Sequence, residues 1–192
     1  MMKNNLLEDL VIELKNRKIR VHYIESKNDN INVAELKNSN IFVNITSRDE
    51  LSVAFTIAHL YGHLIQFKDY EKYKHLIEIV KRPVPVNLSK RFLSEFWRYE
   101  KEAFCIGKGL LIDIGYMNFE IERKYSVFLQ TDYNYFMKYL TTGENCNIED
   151  FNKLLIENYN RINSKIYKLK PIFCNKNIND SIKMDLVNIK VS

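Results

Sequence analysis

The stretch Ala58-His59-Leu60-Tyr61-Gly62-His63-Leu64 carries two of the four histidines of this 192-residue chain, four positions apart. Residues at that spacing on an α-helix lie on one face, so both imidazoles can point at a single divalent ion. Apolar residues surround the pair from 51 to 67, which predicts a helix buried on most sides. Buried imidazoles need hydrogen-bond acceptors or a metal ion. We predict a metal site here, with two core histidines satisfied by carbonyl groups as the alternative.

A second helix, farther along the chain, offers a third ligand. Glu100, Ala103 and Gly107 share one helical face, and the two small residues allow close approach to a neighbouring helix. If that neighbour is the histidine helix, the Glu100 carboxylate lies beside His59 and His63. Two histidines and one glutamate form a known zinc ligand set. The predicted cofactor is therefore Zn²⁺, held by His59, His63 and Glu100.

Hydrophobic periodicity along the rest of the chain predicts one α+β domain over residues 1–160. It has an N-terminal helix, a small three-stranded sheet, the histidine helix and a mostly helical C-terminal half. A capping box from Ser47 to Glu50 predicts that the histidine helix begins at Arg48. The other predicted elements are a helix at 5–17, strands at 19–24, 31–36 and 41–45, a helical pair within 119–140 and a helix at 148–162.

Composition and charge narrow the functional class. The net charge of +5 is confined to residues 161–192, which contain seven basic and two acidic residues. We interpret this segment as a basic tail with strand-like segments. This tail has no dense basic run, so we expect a solvated or partner-binding segment and no nucleic-acid binding. No apolar run is suited to span a bilayer or to serve as a signal peptide, and the three cysteines form no CxxC pair. We expect reduced thiols and a cytoplasmic protein with no membrane association.

The order of these elements and motifs resembles the metallopeptidase domain of the ImmA/IrrE type, over about residues 5–112. Those proteins are zincin-like and occur in bacteria and their mobile elements, and several act on transcriptional repressors. The resemblance matches His59 and His63 to the two histidine ligands and Glu100 to the glutamate ligand. It also implies a protein partner or substrate such as a transcriptional regulator. The chain further resembles a variant branch of this family in which HLxGH replaces HExGH.

Position 60 decides between two functions. In the HExxH motif the residue after the first histidine is the general base, and here it is Leu60. General acid–base catalysis contributes typically about 10²–10⁴-fold, so this change favours a non-catalytic or strongly impaired relative that binds a regulatory protein. The alternative is an active zinc metallopeptidase that cleaves a repressor-like protein with a non-standard base. Tyr99 is a weak candidate for that base, whereas Glu102 should point away from the metal.

Overall fold

The computed structural model describes residues 5–25, 34–46, 48–144 and 148–163. Within these ranges the chain is mostly helical, with one three-stranded sheet, which confirms the predicted α+β class. The elements in chain order are α1 (Leu6–Asn16), β1 (Arg20–Ile24), β2 (Ala34–Lys37), β3 (Asn40–Asn44), α2 (Glu50–Gln66), a short 3-10 helix (Phe67–Asp69), α3 (Tyr70–Val80), α4 (Lys90–Asp113), α5 (Phe119–Thr142) and α6 (Ile148–Asn163). The predicted basic tail from residue 164 onward lies outside the described residues.

Side-chain caps fix where the helices begin. The α2 helix begins two residues later than predicted, because Asp49 rather than Ser47 is its N-cap, and the Asp49 side chain accepts a hydrogen bond from the Ser52 amide. Ser47 itself lies outside the described residues. Ser89 caps α4 in the same way, and Gly115, with φ of 79°, follows the end of that helix as predicted.

The sheet has the strand order β1-β3-β2. Strand β3 is parallel to β1 and antiparallel to β2, with Val43 opposite Tyr23 on one side and Ala34 on the other. Asn38 and Ser39 form the β2–β3 turn with φ of 49° and 60°, the left-handed conformations that suit a tight hairpin. Ile41 and Val43 are fully buried on the face of β3 that belongs to the main core.

The α2 helix lies at the centre of that core. Eleven of its seventeen residues are buried, as the apolar sequence predicted. Arg17, just after α1, joins three helices: its guanidinium donates to Glu13 at 2.7 Å, to the Tyr61 hydroxyl at 2.8 Å and to Asp113 at 3.3 Å. These contacts fix α1 against α2 and the end of α4.

Two sequence predictions about the second half are wrong. Residues 119–142 form one continuous helix, α5, and not a helical pair, because no glycine or proline interrupts its aromatic stripe. Cys105 is disulfide-bonded rather than reduced. The other two cysteines lie outside the described residues. Across the described ranges, none of the helices has the length and apolar character needed to cross a membrane.

Candidate metal centre

Two glycines set the distance between α2 and α4. A Cβ added to Gly62 would lie 2.7 Å from the Cα of Ala103, and one added to Gly107 would lie 2.7 Å from the carbonyl carbon of Ala58. Both separations are shorter than real Cβ contacts, so the two helix backbones touch at two places. Gly62 meets Ala103 at one, and Gly107 meets Ala58 at the other, about one helical turn away. The close approach predicted from Ala103 and Gly107 is confirmed, and it brings Glu100 over the histidine pair.

Three donor atoms converge between these helices. The Nε2 atoms of His59 and His63 are 3.1 Å apart, and the Glu100 Oε2 atom lies 3.0 Å from the first and 3.3 Å from the second. The side chains of His59, Glu100 and His63 are 5%, 10% and 12% exposed. Ligands about 2.1 Å from a tetrahedral zinc lie about 3.4 Å from one another, which is close to the observed spacing. The predicted residues are together, and they could hold a metal ion.

Gln66 determines which His63 nitrogen faces the cluster. The Gln66 amide nitrogen donates to the Tyr99 carbonyl at 2.9 Å, so its oxygen is turned toward His63 Nδ1, also at 2.9 Å. That oxygen can only accept, so Nδ1 must carry the proton. The neutral imidazole then presents the lone pair of Nε2 to His59 and Glu100, which is the tautomer that a metal ligand requires.

The cluster favours positive charge at its centre. Burial opposes the charged form of His63, but the Glu100 carboxylate, the hydrogen bond with Gln66 and the charge of Asp132 together outweigh it, so the pKa of His63 is raised. Burial would likewise raise the pKa of Glu100, yet the charge of His63 and hydrogen bonds from both histidines lower that pKa to about 2. A proton or a metal cation satisfies such a site, since both supply positive charge to the same atoms.

Asp132, on α5, is a fourth polar group that the sequence did not reveal. Its Oδ2 atom lies 4.0 Å from His59 Nε2, and its side chain is 33% exposed. Phe128, one helical turn earlier, packs its ring 6.4 Å from the His59 ring, so this face of α5 lies against His59. A signal was present: Asp132 is a charged residue on the stripe of α5 that also carries Tyr125 and Phe128, both buried.

Three residues bear on the catalytic base: Leu60 occupies its usual position, Tyr99 is the candidate, and Glu102 was expected to point away. Leu60 is partly buried and packs against the main core. The Tyr99 ring stacks obliquely on His63 with centroids 4.9 Å apart, and burial raises the pKa of its hydroxyl. Glu102 points to α3 instead, where it accepts from the Tyr73 hydroxyl at 2.5 Å and pairs with Lys72. Of these three, only Tyr99 contacts a predicted ligand.

The remaining two histidines have structural partners, as predicted. His22 stacks on Phe42 with ring centroids 4.6 Å apart, and its Nε2 lies 3.2 Å from the Asn40 side chain. His75 pairs with Glu95 at 3.2 Å on the surface. Neither belongs to the candidate metal centre.

Comparison of the chain with protein-family models, curated proteins and solved structures found no match. The functional argument therefore depends on the geometry of the site and on the residues that form it.

Proposed function

We propose that the chain binds one zinc ion through His59, His63 and Glu100 and belongs with the ImmA/IrrE-type proteins as a member without the usual base. In this proposal it does not hydrolyse peptides efficiently and acts by binding a regulatory protein, such as a transcriptional regulator. The convergence of three buried donor atoms within 3.3 Å of one another carries the zinc proposal. Zinc supplies Lewis-acid chemistry where it is bound.

The surrounding residues position and shield the three ligands. Gln66 holds His63 in the required tautomer, and such outer partners commonly decide metal affinity. The rings of Tyr99 and Phe128 cover the imidazoles from α4 and α5. With these neighbours the side chains of the three ligands are at most 12% exposed, which suits metal binding.

Leu60 supports the non-catalytic part of the proposal. Its side chain has no atom that accepts a proton, and it packs against apolar residues of the core. A glutamate at this position would supply the general base of a zinc peptidase. Its absence removes a contribution of about 10²–10⁴-fold in rate.

An active zinc hydrolase is the second candidate function, and Asp132 is the observation that favours it. Three protein ligands are typical of a catalytic zinc site, whereas structural sites have four. Asp132 places a partly exposed carboxylate 4.0 Å from His59 in a chain that lacks the usual glutamate. The two functions differ in whether wild-type protein cleaves a substrate.

Restoring the glutamate tests the proposed function. Wild-type protein should leave unstructured protein substrates intact, and Leu60→Glu should cleave them in a zinc-dependent manner. Leu60→Gln is the matched control, because glutamine has nearly the same shape as glutamate but no carboxylate. A second control combines Leu60→Glu with His63→Ala, which removes a metal ligand. Circular dichroism must first show that the variants fold, since a glutamate at a partly buried site is destabilising. Zinc-dependent cleavage by the wild type would contradict the proposal and favour the active hydrolase.

A further inference from the structure

Asp132 reaches the ligand cluster from a third helix. The other groups come from α2 and α4, whereas Asp132 lies on α5, whose position is fixed by Phe128 against His59 and by the Asn158 amide, which donates to Thr131 at 3.0 Å. Asp132 Oδ2 lies 4.0 Å from His59 Nε2, whereas the donor atoms of the triad, His59, His63 and Glu100, lie 3.0–3.3 Å apart. Asp132 therefore lies beside the triad, next to His59, and its side chain is more exposed than those of the three ligands.

The Asp132 carboxylate has no competing hydrogen bond within the part of the chain that the structure describes. Arg48 attracts the Asp132 carboxylate electrostatically, but its guanidinium donates to the carbonyls of Asn44 and Ser52 and to the Thr56 hydroxyl. The one ion pair that Asp132 forms there is with His59. A carboxylate that accepts no hydrogen bond from the described residues and lies 4.0 Å from the His59 imidazole is available to a cation.

Charge balance gives Asp132 a role. As metal ligands both imidazoles are neutral and Glu100 contributes one negative charge, so a divalent ion held by the triad leaves a net charge of about +1 in a largely buried site. Burying an unbalanced charge is costly. A second carboxylate at the metal offsets this remaining charge, and the buried Arg48 guanidinium also attracts Asp132.

We propose that Asp132 is a fourth protein ligand, so that two imidazoles and two carboxylates from three helices surround the metal. This inference rests on the proposed zinc site and deepens it. Four protein ligands are typical of structural zinc sites, and a carboxylate that binds the ion is not free to act as a base. A structural role for the metal thus explains why the chain has the metal ligands although it lacks the catalytic glutamate of a peptidase.

The test measures the affinity of the full chain for Zn²⁺ by competition with a chromophoric chelator. Wild type is compared with Asp132→Ala, with the nearly isosteric Asp132→Asn and with Asp150→Ala, an exposed aspartate on α6, as the matched control. Cobalt substitution then reports ligand identity, because the visible absorption of Co²⁺ depends on its coordination. Circular dichroism of the metal-free variants establishes that each is folded.

The proposal predicts that Asp132→Ala weakens zinc binding by at least about 100-fold, more than the loss typical of an outer partner, and that both Asp132 variants alter the cobalt spectrum. Asp150→Ala should match the wild type. An unchanged cobalt spectrum in both Asp132 variants would overturn the fourth-ligand role, even if affinity falls, and would leave the triad intact. Wild-type protein that binds no zinc would overturn the proposed function together with this inference.

Discussion

Gln66 shows how one residue outside the ligand set can control the candidate metal centre. Its amide is fixed by the Tyr99 carbonyl, and that orientation sets the tautomer of His63. Neither bond is evident from the sequence, since a glutamine at the end of an apolar helix is usually a solvated residue. The spacing from His63, three positions along the helix, is the one hint that the two side chains could meet.

Replacing Gln66 with leucine should weaken zinc binding by about 10–100-fold, which is the usual effect of losing an outer partner. The leucine leaves the Nδ1–H of His63 without its acceptor and frees the ring to turn. Chelator competition measures the affinity. Glu71→Gln, at an exposed position of α3, is the control and should keep the wild-type affinity. Equal affinities for Gln66→Leu and wild type would show that Gln66 does not orient His63.

The ligand triad could be predicted from the sequence, whereas Asp132 could not. His59, His63 and Glu100 follow from helical spacing and from the small residues that bring their helices together. Asp132 depends on how α5 is rotated about its axis and where it crosses α2, and local periodicity does not define either quantity. Residues 119–140 were also predicted as two helices, which left the register of this segment undetermined.

At the scale of elements, the contact between α2 and α4 decides whether a site exists. Gly62 faces Ala103 and Gly107 faces Ala58, so each helix contributes one glycine to the contact. The sequence predicted this pair of helices well because small residues lie on the same faces as the candidate ligands. The start of α2 was predicted less well, since Asp49 and Ser47 both resemble N-caps and only the folded structure shows that Asp49 is bonded.

Adding one methyl group at this contact should damage both fold and site. We expect Gly107→Ala to lower the free energy of unfolding by at least about 1–3 kcal/mol, because the new Cβ would collide with the backbone at Ala58. Zinc affinity should fall as well, since the helices must separate. Chemical denaturation and chelator competition measure the two effects. Asn134→Ala, at an exposed position of α5, should change neither. A Gly107→Ala variant as stable as wild type would mean that the helices are not this close.

At the scale of the whole molecule, Arg17 stabilises the fold through contacts that do not involve the proposed metal ligands. It joins the end of α1 to the buried Tyr61 hydroxyl and to Asp113 at the end of α4. Tyr61 is 1% exposed and lies on the opposite face of α2 from the histidines, as predicted. Losing these bonds should therefore affect the fold and leave the ligands in place.

Arg17→Met should lower the free energy of unfolding by about 1–3 kcal/mol, because it leaves the buried Tyr61 hydroxyl without its partner. Zinc affinity should stay at the wild-type value. The matched control is Arg91→Met, which removes an exposed i,i+4 pair with Glu95 and should cost less than about 0.5 kcal/mol. Urea denaturation followed by circular dichroism measures both. Similar small losses in the two variants would show that Arg17 does not link the helices.

The zinc content of the purified full chain tests the central claim most directly. Protein prepared without an affinity tag should contain about one zinc per chain by elemental analysis, as expected for one such site. His63→Ala should contain essentially none, and removing zinc from the wild type by chelation should lower its thermal stability, because metal binding contributes to folding free energy. His22→Ala, which alters a surface histidine, is the control and should keep its zinc. Metal-free wild-type protein that also takes up no added zinc, or a His63→Ala variant with full zinc content, would contradict the account.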